Sequence, residues 1–473
     1  MKGIGDYRPI GYNPAIKSRL DKPSVNKAVP DMLPQAGASG PTDSVAEFRG
    51  GPLKPQLSQE QRKALVESFK AESLKSAQKE AIVVGGGPGG LAAAITLAKM
   101  GVKVTVLEAR ANEAGDKPAH ARPHQISLRQ DSLNTLKNLG AYDQVMEKSG
   151  FVDKEVHIKS KDGLHHHEEK IPEAKAHGEN KLGLISPNTL LTDSVSQVRI
   201  SDIETSLYDQ AVKHGVEIKS GVQATLAPSA DGKSYSVGIQ KVQKDAETGY
   251  KPVGEMTDLG TPDLVVVADG AGSPTRTSLG IGVIEESASK NYLGGHIQKG
   301  LGAETRKATI VEADGSKRHV MGTGHAKYDQ TWVSVEITPE EAKMSPKERA
   351  QLLADKAQVV MGQEVTTADI GWGAGQLTTV QNRRAEKTTA GDNVVLLGDS
   401  AGTGSVWVGG GLNLALTTHL SALKNAMTRI QSGSDRGATM EIYDKTIQWA
   451  TSVWHKAGAA ELGPAPQTPA KAS

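Results

Sequence analysis

Four short runs of apolar, β-branched residues punctuate the chain, each closed by glycine or an acidic residue: AIVVG at 81–85, KVTVLE at 103–108, DLVVVAD at 263–269 and NVVLLGD at 393–399. Runs that are apolar on both faces predict buried parallel strands. Ala/Leu-rich stretches follow the first run and, from about Leu412, the last, and both predict helices. Between the runs, 151–262 and 283–385 are more polar and alternate, as in FVDKEVHIKS and YSVGIQKVQK. That period predicts an antiparallel or mixed sheet inserted between pieces of a parallel one. Near the start, Ser58 and Gln61 stand at capping-box spacing, and Leu65, Val66, Phe69 and Leu74 share a face, so a helix is expected to about Ala77. Residues 1–57 are rich in Pro, Gly, Ser and Lys without a period and read as an irregular extension. The segment after Leu462, GPAPQTPAKAS, reads as a frayed tail.

Composition narrows the picture mainly by exclusion. Of 473 residues, 55 are Lys or Arg and 54 Asp or Glu, a net charge of +1 that leaves no electrostatic footprint for nucleic acid. There is no cysteine, which excludes disulfides, zinc–thiolate sites, iron–sulfur clusters and a cysteine nucleophile. Glycine is abundant, at 52 residues. The uncharged stretch 81–98 is long enough to question as a membrane span, but five glycines and a proline argue for a nucleotide-binding turn instead. The start, MKGIGDYRPIGYNP, carries no apolar signal core, so a cytoplasmic location is expected. Export of a bacterial protein without a cleavable signal is the alternative. The run His165–His167 reads as a solvated loop, not a metal site, because adjacent side chains point different ways.

Chemistry enters at the glycines. Gly85-x-Gly87-x-x-Gly90 follows the first strand and opens a helix, and a second strand ends in Glu108. Gly85 permits the tight turn, Gly87 lets backbone approach a pyrophosphate, and Gly90 lets helix and strand pack closely. The helix N-terminus offers free N–H groups to phosphate, and Glu108 stands where a carboxylate accepts ribose hydroxyls. Two further turns have the same strand-to-turn form: Asp269-Gly270 with Ser273 and Arg276, and Gly398-Asp399 with a glycine-rich loop behind it.

In this order the three motifs resemble the fingerprints of the FAD-dependent single-component hydroxylases, the para-hydroxybenzoate hydroxylase-like monooxygenases: GxGxxG, DGxxSxxR, then GD with a glycine loop. The resemblance spans roughly residues 80–430. It implies an α/β architecture, a Rossmann-like FAD-binding domain of the GR2 type with an inserted substrate domain and a C-terminal helical segment. The expected division is 58–150, 263–282 and 386–430 for the FAD-binding domain, with the N-terminal helix in the first piece. The substrate domain takes 283–385 and most of 151–262, apart from a helix near 195–215. The C-terminal helix and tail take 431–473. The resemblance further implies that Gly85, Gly87, Pro88 and Gly90 hold the FAD pyrophosphate, Glu108 the ribose, and Arg110 the neighbourhood of the adenine. Arg122 and Arg199 are further FAD contacts, Arg199 one residue out of the family's register. Asp269 and Gly270 belong to the cofactor site, and Asp399 binds the ribityl chain. Gly409, Gly410, Gly411, Leu412 and Asn413 present backbone to the flavin, with Trp407 and Leu412 close to its ring.

The resemblance implies NADPH or NADH as co-substrate, oxygen adding at flavin C4a, and a small organic, aromatic type of substrate, with a protein substrate left open. No catalytic acid or base is required by the motifs, and His124 reads equally as a packed strand residue. Two departures bear on chemistry. Val406 stands where the family has a proline near the oxygen site, which keeps a reductase or dehydrogenase on the same scaffold as an alternative. The spacing after Arg122, and the tryptophan in Val406-Trp407-Val408-Gly409, are slightly similar to MICAL-type monooxygenases. A non-catalytic flavoprotein serving a protein partner through the N-terminal extension is the third reading. The tryptophan-rich halogenase signature is absent, as is any second GxGxxG.

Overall fold

The structure is a computed structural model that describes residues 78–110, 125–151, 154–161, 165–170, 196–245, 249–325, 327–371, 375–404 and 410–462. The expected N-terminal extension and helix, the tail after 462, Arg122, His124, Val406, Trp407 and Gly409 lie outside the described residues.

All four apolar runs form strands of one sheet. Its order is Thr389–Ala390, Val394–Leu396, Leu264–Val267, Glu80–Val84 (β1), Lys103–Glu108 (β2) and Glu217–Ser220. Every pairing is parallel except that of Thr389–Ala390, which closes one edge antiparallel. Between β1 and β2 runs the helix Pro88–Lys99 (α1), where Leu91, Ala92, Ala93, Ala94, Ile95 and Leu97 are all buried. The alanines let α1 sit close to the sheet, and the larger side chains contribute about 1.5–3 kcal/mol each by leaving water.

The second large sheet has seven strands in the order Gln376–Val380, Lys290–Ile297, Tyr328–Ile337, Lys317–His325, Glu304–Val311, Lys154–Lys161 and His165–Lys170. It is antiparallel apart from the parallel pair Glu304–Val311 and Lys154–Lys161, so the sheet is mixed. One face, carrying Leu293, Ile297, Val333 and Val335, packs under the helix Pro346–Met361. That helix starts at a capping box between Ser345 and Glu348 and stops at Gly362 in the left-handed region.

Two expectations change. The run His165–His167 opens an edge strand paired with Lys154–Lys161 instead of forming a loop; backbone pairing at a sheet edge does not require an apolar sequence. The stretch 151–262 divides between cores. Its first strands join the seven-stranded sheet, but Glu217–Ser220 extends the parallel sheet. The antiparallel sheet of Val222–Pro228, Tyr235–Asp245 and Gly249–Asp258 places Leu226 and Val237 in the parallel sheet's core. Alternation identified these segments as half-buried strands; it carries no information about which core they cover. Among the described residues, no helix is long and apolar enough to cross a membrane.

Candidate cofactor and substrate site

At the end of β1 the three glycines do three different jobs. Gly85 sits at φ +107°, and a Cβ there would lie 2.4 Å from the Ala268 carbonyl oxygen, so the turn needs glycine twice over. A Cβ on Gly90 would lie 2.0 Å from the Gly85 carbonyl oxygen, where α1 crosses the turn. Gly87 is different: among the described residues, apart from its chain neighbours and the helix's own backbone, no atom lies within 4 Å of the place its Cβ would take. The space at Gly87 is therefore open to a ligand, not filled by packing. Gly87 is also the N-cap of α1 without a side-chain hydrogen bond, Pro88 follows at the first position, and the first turn holds no acidic residue. Its free N–H groups and positive dipole end suit a pyrophosphate.

Glu108 ends β2 and is buried. Its Oε2 accepts the Gly86 N–H at 2.7 Å, while Arg110 donates to Oε1 from its backbone N–H at 2.8 Å and from Nε at 3.0 Å. A longer bond of 3.3 Å joins Arg110 Nη2 to Oε2. Behind Arg110, the buried Glu204 of the helix Ile200–Lys213 approaches Nη1 to 3.6 Å. Burial works against the Arg110 charge, but the Glu108 and Glu204 carboxylates hold its guanidinium above the ordinary range.

The second and third motifs are tied into one unit. Asp269 Oδ2 accepts the Thr275 N–H at 3.1 Å, Oδ1 is buried without a partner among the described residues, and Gly270 turns the chain at φ +91°. Ser273 caps the short helix Pro274–Ser278 by accepting the Arg276 N–H. The Arg276 side chain, 7% exposed, donates to the Ser400 carbonyl at 3.0 Å and the Ala271 carbonyl at 3.1 Å. Burial, opposed by Asp269 and reinforced by Arg383, draws Arg276 below its usual range. Ser400 in turn donates from Oγ to the Val267 carbonyl at 2.7 Å. The Arg of one motif thus braces the turn of the other.

That turn, Gly398–Ser400, leaves Asp399 exposed. A Cβ on Gly411 would lie 2.8 Å from Asp399 Oδ1, so the carboxylate rests against the start of the helix Gly410–Leu414. Leu412 is half-buried against the core. Asn413 is turned away from Asp399: its Oδ1 accepts from Arg129 N–H at 3.0 Å and Ser132 Oγ at 2.6 Å. The helix then passes through one π turn, Ala415–His419, before continuing as Leu420–Gln431. The π turn brings His419 under Gly398, whose N–H donates to Nδ1 at 2.9 Å. Burial alone pushes His419 down to about 3, so the ring is neutral and its proton sits on Nε2.

Arg199 makes its contacts with the seven-stranded sheet. It ends the strand Ser196–Arg199, but its guanidinium stacks 4.0 Å over Tyr328 and Nη2 donates to Gln330 at 2.8 Å. These contacts turn the side chain toward the seven-stranded sheet. On that face lie the buried Tyr292, His296, Thr323, His325 and Trp332, with His296 edge-on to Trp332 at 5.1 Å. None of these stood out in the sequence, because strand alternation makes them look like ordinary inward positions. Burial, with the positive fields of Arg199, His296 and Lys327 added, pushes His325 down to about 4. Its folded value thus lies below the unfolded value of about 6.5, so its contribution is complete above that pH and drains away as pH falls toward 4. His325→Gln should reduce the loss of Tm between about pH 7 and pH 5. An unchanged loss would mean the acid sensitivity arises elsewhere, His419 being the next source.

An uncapped glycine turn, a carboxylate at the second strand and two braced aspartate turns at the strand ends define a dinucleotide-binding α/β protein. The chain belongs to the FAD binding domain family, whose model matches residues 78–447. No curated protein matches it by sequence. Its fold is that of p-nitrophenol 4-monooxygenase from Pseudomonas putida DLL-E4, with a TM-score of 0.60 at 17% identity over 82% of this chain and 90% of that one. It is also that of 2-methyl-3-hydroxypyridine-5-carboxylic acid oxygenase, with 0.56 at 17% over 81% and 91%. The flavin-dependent halogenase CmlS shares it at 0.58 and 18%, over 80% of this chain and 63% of that one. The expected architecture, the flavoprotein class and the FAD cofactor are thereby borne out.

Proposed function

We propose that the chain is an FAD-dependent monooxygenase of a small organic substrate. The observation that carries this reading is the bracing of the Asp269 and Asp399 turns by Arg276, next to a glycine turn whose open space is at Gly87. Bound there and reduced by NADPH or NADH, FAD supplies the activation of dioxygen; the protein supplies position, electrostatics and exclusion of water. The α1 N-terminus and Gly87 backbone bind the pyrophosphate. Glu108 takes a ribose hydroxyl in place of the long Arg110 Nη2 bond, which leaves the shorter bonds intact. Asp399 orients the ribityl chain, and the start of the helix Gly410–Leu414 faces the flavin. The substrate lies against the sheet face of Tyr292, His296, Trp332 and His325, where aromatic edges and the neutral His325 imidazole suit a planar molecule with polar substituents.

The domain division follows the same reading: 263–282 and 386–430 belong with the FAD-binding part and 283–385 with the substrate part. The test is consumption of NADPH and NADH by the FAD-loaded protein. Without substrate, slow oxidation and hydrogen peroxide are expected. A substrate, sought first among nitrophenols and hydroxypyridine carboxylates, should speed nicotinamide oxidation, lower the peroxide yield and incorporate label from 18-O2. Turnover without oxygen would establish the reductase reading instead. FAD that NADPH and NADH never reduce would establish a non-catalytic flavoprotein.

A further inference from the structure

We propose that His455 is a positioning residue, held as an imidazolium that donates both ring protons, and that it fixes the far end of the Asp399 turn for FAD binding. The proposal rests on the FAD reading of that turn. His455 lies in the helix Arg436–Leu462, and its side chain is 5% exposed. Its Nδ1 stands 2.5 Å from Glu286 Oε2 and its Nε2 stands 2.6 Å from the Thr403 carbonyl oxygen. A carbonyl oxygen only accepts. Glu286 also only accepts, because it is ionised. Burial opposes its charge, but Arg384 at 2.5 Å and His455 hold it below the usual carboxylate range. With acceptors at both nitrogens, both nitrogens must carry protons; a neutral ring would set a lone pair against an oxygen inside the protein.

Among the described residues, the ring's other surroundings do not supply a competing donor. Arg384 is spent on Glu286 and Gln448, and Asn382 Nδ2 donates to the His455 backbone carbonyl. Of the other charged groups, Lys456 is exposed, Arg129 lies over Trp454, and Arg383 acts on Arg276.

The bond to Thr403 reaches the cofactor site by a short path. The strand Gly402–Thr403 leaves the Asp399 turn and pairs with Arg383 and Arg384. His455 therefore anchors the exit of the turn from the same cluster that holds Glu286. The start of the turn is anchored by His419, which accepts from Gly398 and is neutral. One neutral and one charged histidine bracket Asp399, and only one state of each fits. Loss of the His455 proton removes one anchor, so FAD should bind less tightly in alkali.

The test uses the full chain labelled with 15N in its histidines. At about pH 7.5, the resonances removed by His455→Gln should show two protonated ring nitrogens, in apo and FAD-loaded protein alike. A neutral-ring pattern overturns the proposal. The FAD dissociation constant should then rise about tenfold or more between about pH 7 and pH 9.5, and His455→Gln should bind weakly at both. An FAD affinity that is flat with pH, or a pH dependence that survives in His455→Gln, also overturns it. Should His455→Gln fail to fold, Glu286→Gln decides. Its amide oxygen still accepts from Nδ1, but removing the opposite charge should move both the NMR titration and the affinity loss to lower pH by about one pH unit or more. Unmoved curves overturn the proposal. Protein that binds no FAD at any pH refutes the flavoprotein reading, while the nitrogen spectrum still judges the protonation of His455.

Discussion

Gly87→Val should give a folded protein that holds no FAD. Among the described residues nothing but its chain neighbours and the helix's own backbone comes within 4 Å of the place its Cβ would take, and the backbone is extended at φ −72°, ψ 177°, where β-branched residues are at ease. The apo protein should therefore melt within about 0.5 kcal/mol of wild type, the range of a substitution that meets no neighbour. The same open space is where a pyrophosphate meets the α1 N–H groups, and two extra methyl groups occupy it. Flavin affinity should fall by at least about a hundredfold, as expected when charged phosphate hydrogen bonds go unmade. The neighbouring glycine makes the contrast. Gly90→Ala adds one methyl 2.0 Å from the Gly85 carbonyl, a contact between two backbone segments that neither side chain nor rotamer can relieve. It should cost about 3 kcal/mol or more of stability. Full flavin occupancy in Gly87→Val would remove the phosphate from this turn. Equal Tm losses in the two variants would mean that Gly87, too, is a packing glycine.

That contrast also shows what the sequence could and could not carry. The parallel strands were legible because runs such as Val83–Val84 and Leu264–Val267 are apolar on both faces, which only a covered sheet requires. The roles of Gly85, Gly87 and Gly90 were legible because the physics of a strand–turn–helix phosphate site is local and fixed in spacing. Contacts between distant segments were not. Nothing near Arg276 in the chain announces that its guanidinium ends on Ser400, 124 residues away. His419 shares a helix with Asn413, but only the π turn, one residue out of helical period, brings it beneath Gly398. Arg199 is a further case: nothing near it in the chain announces its bond to Gln330, 131 residues away. The alternation over 217–258 is that of any half-buried sheet, whichever core lies under it.

Arg276→Met should abolish FAD retention without touching the cofactor. Methionine matches much of the arginine stem in volume, so the loss is confined to the guanidinium. Two carbonyls, of Ser400 and Ala271, then lose a charged donor in a buried setting. Each charge-assisted bond contributes about 1.5–3 kcal/mol, and an orphaned buried acceptor costs about 1–3 kcal/mol. Allowing for overlap between these terms, the variant should lose about 3 kcal/mol of stability. The loss falls on the turn that presents Asp399, since Ser400 is its last residue and is otherwise held through Oγ by Val267 and Leu397. Flavin affinity should therefore fall more steeply than in a variant of equal stability loss placed elsewhere. Leu353→Ala, on the buried face of the helix Pro346–Met361, is the matched control: it removes core packing from the seven-stranded sheet at a cost of about 2–5 kcal/mol. Both variants should unfold earlier in urea, but only Arg276→Met should be purified colourless and need added FAD far above the wild-type requirement. Equal flavin content in the two would reduce Arg276 to a core residue. It would also break the link by which the second and third motifs act as one site.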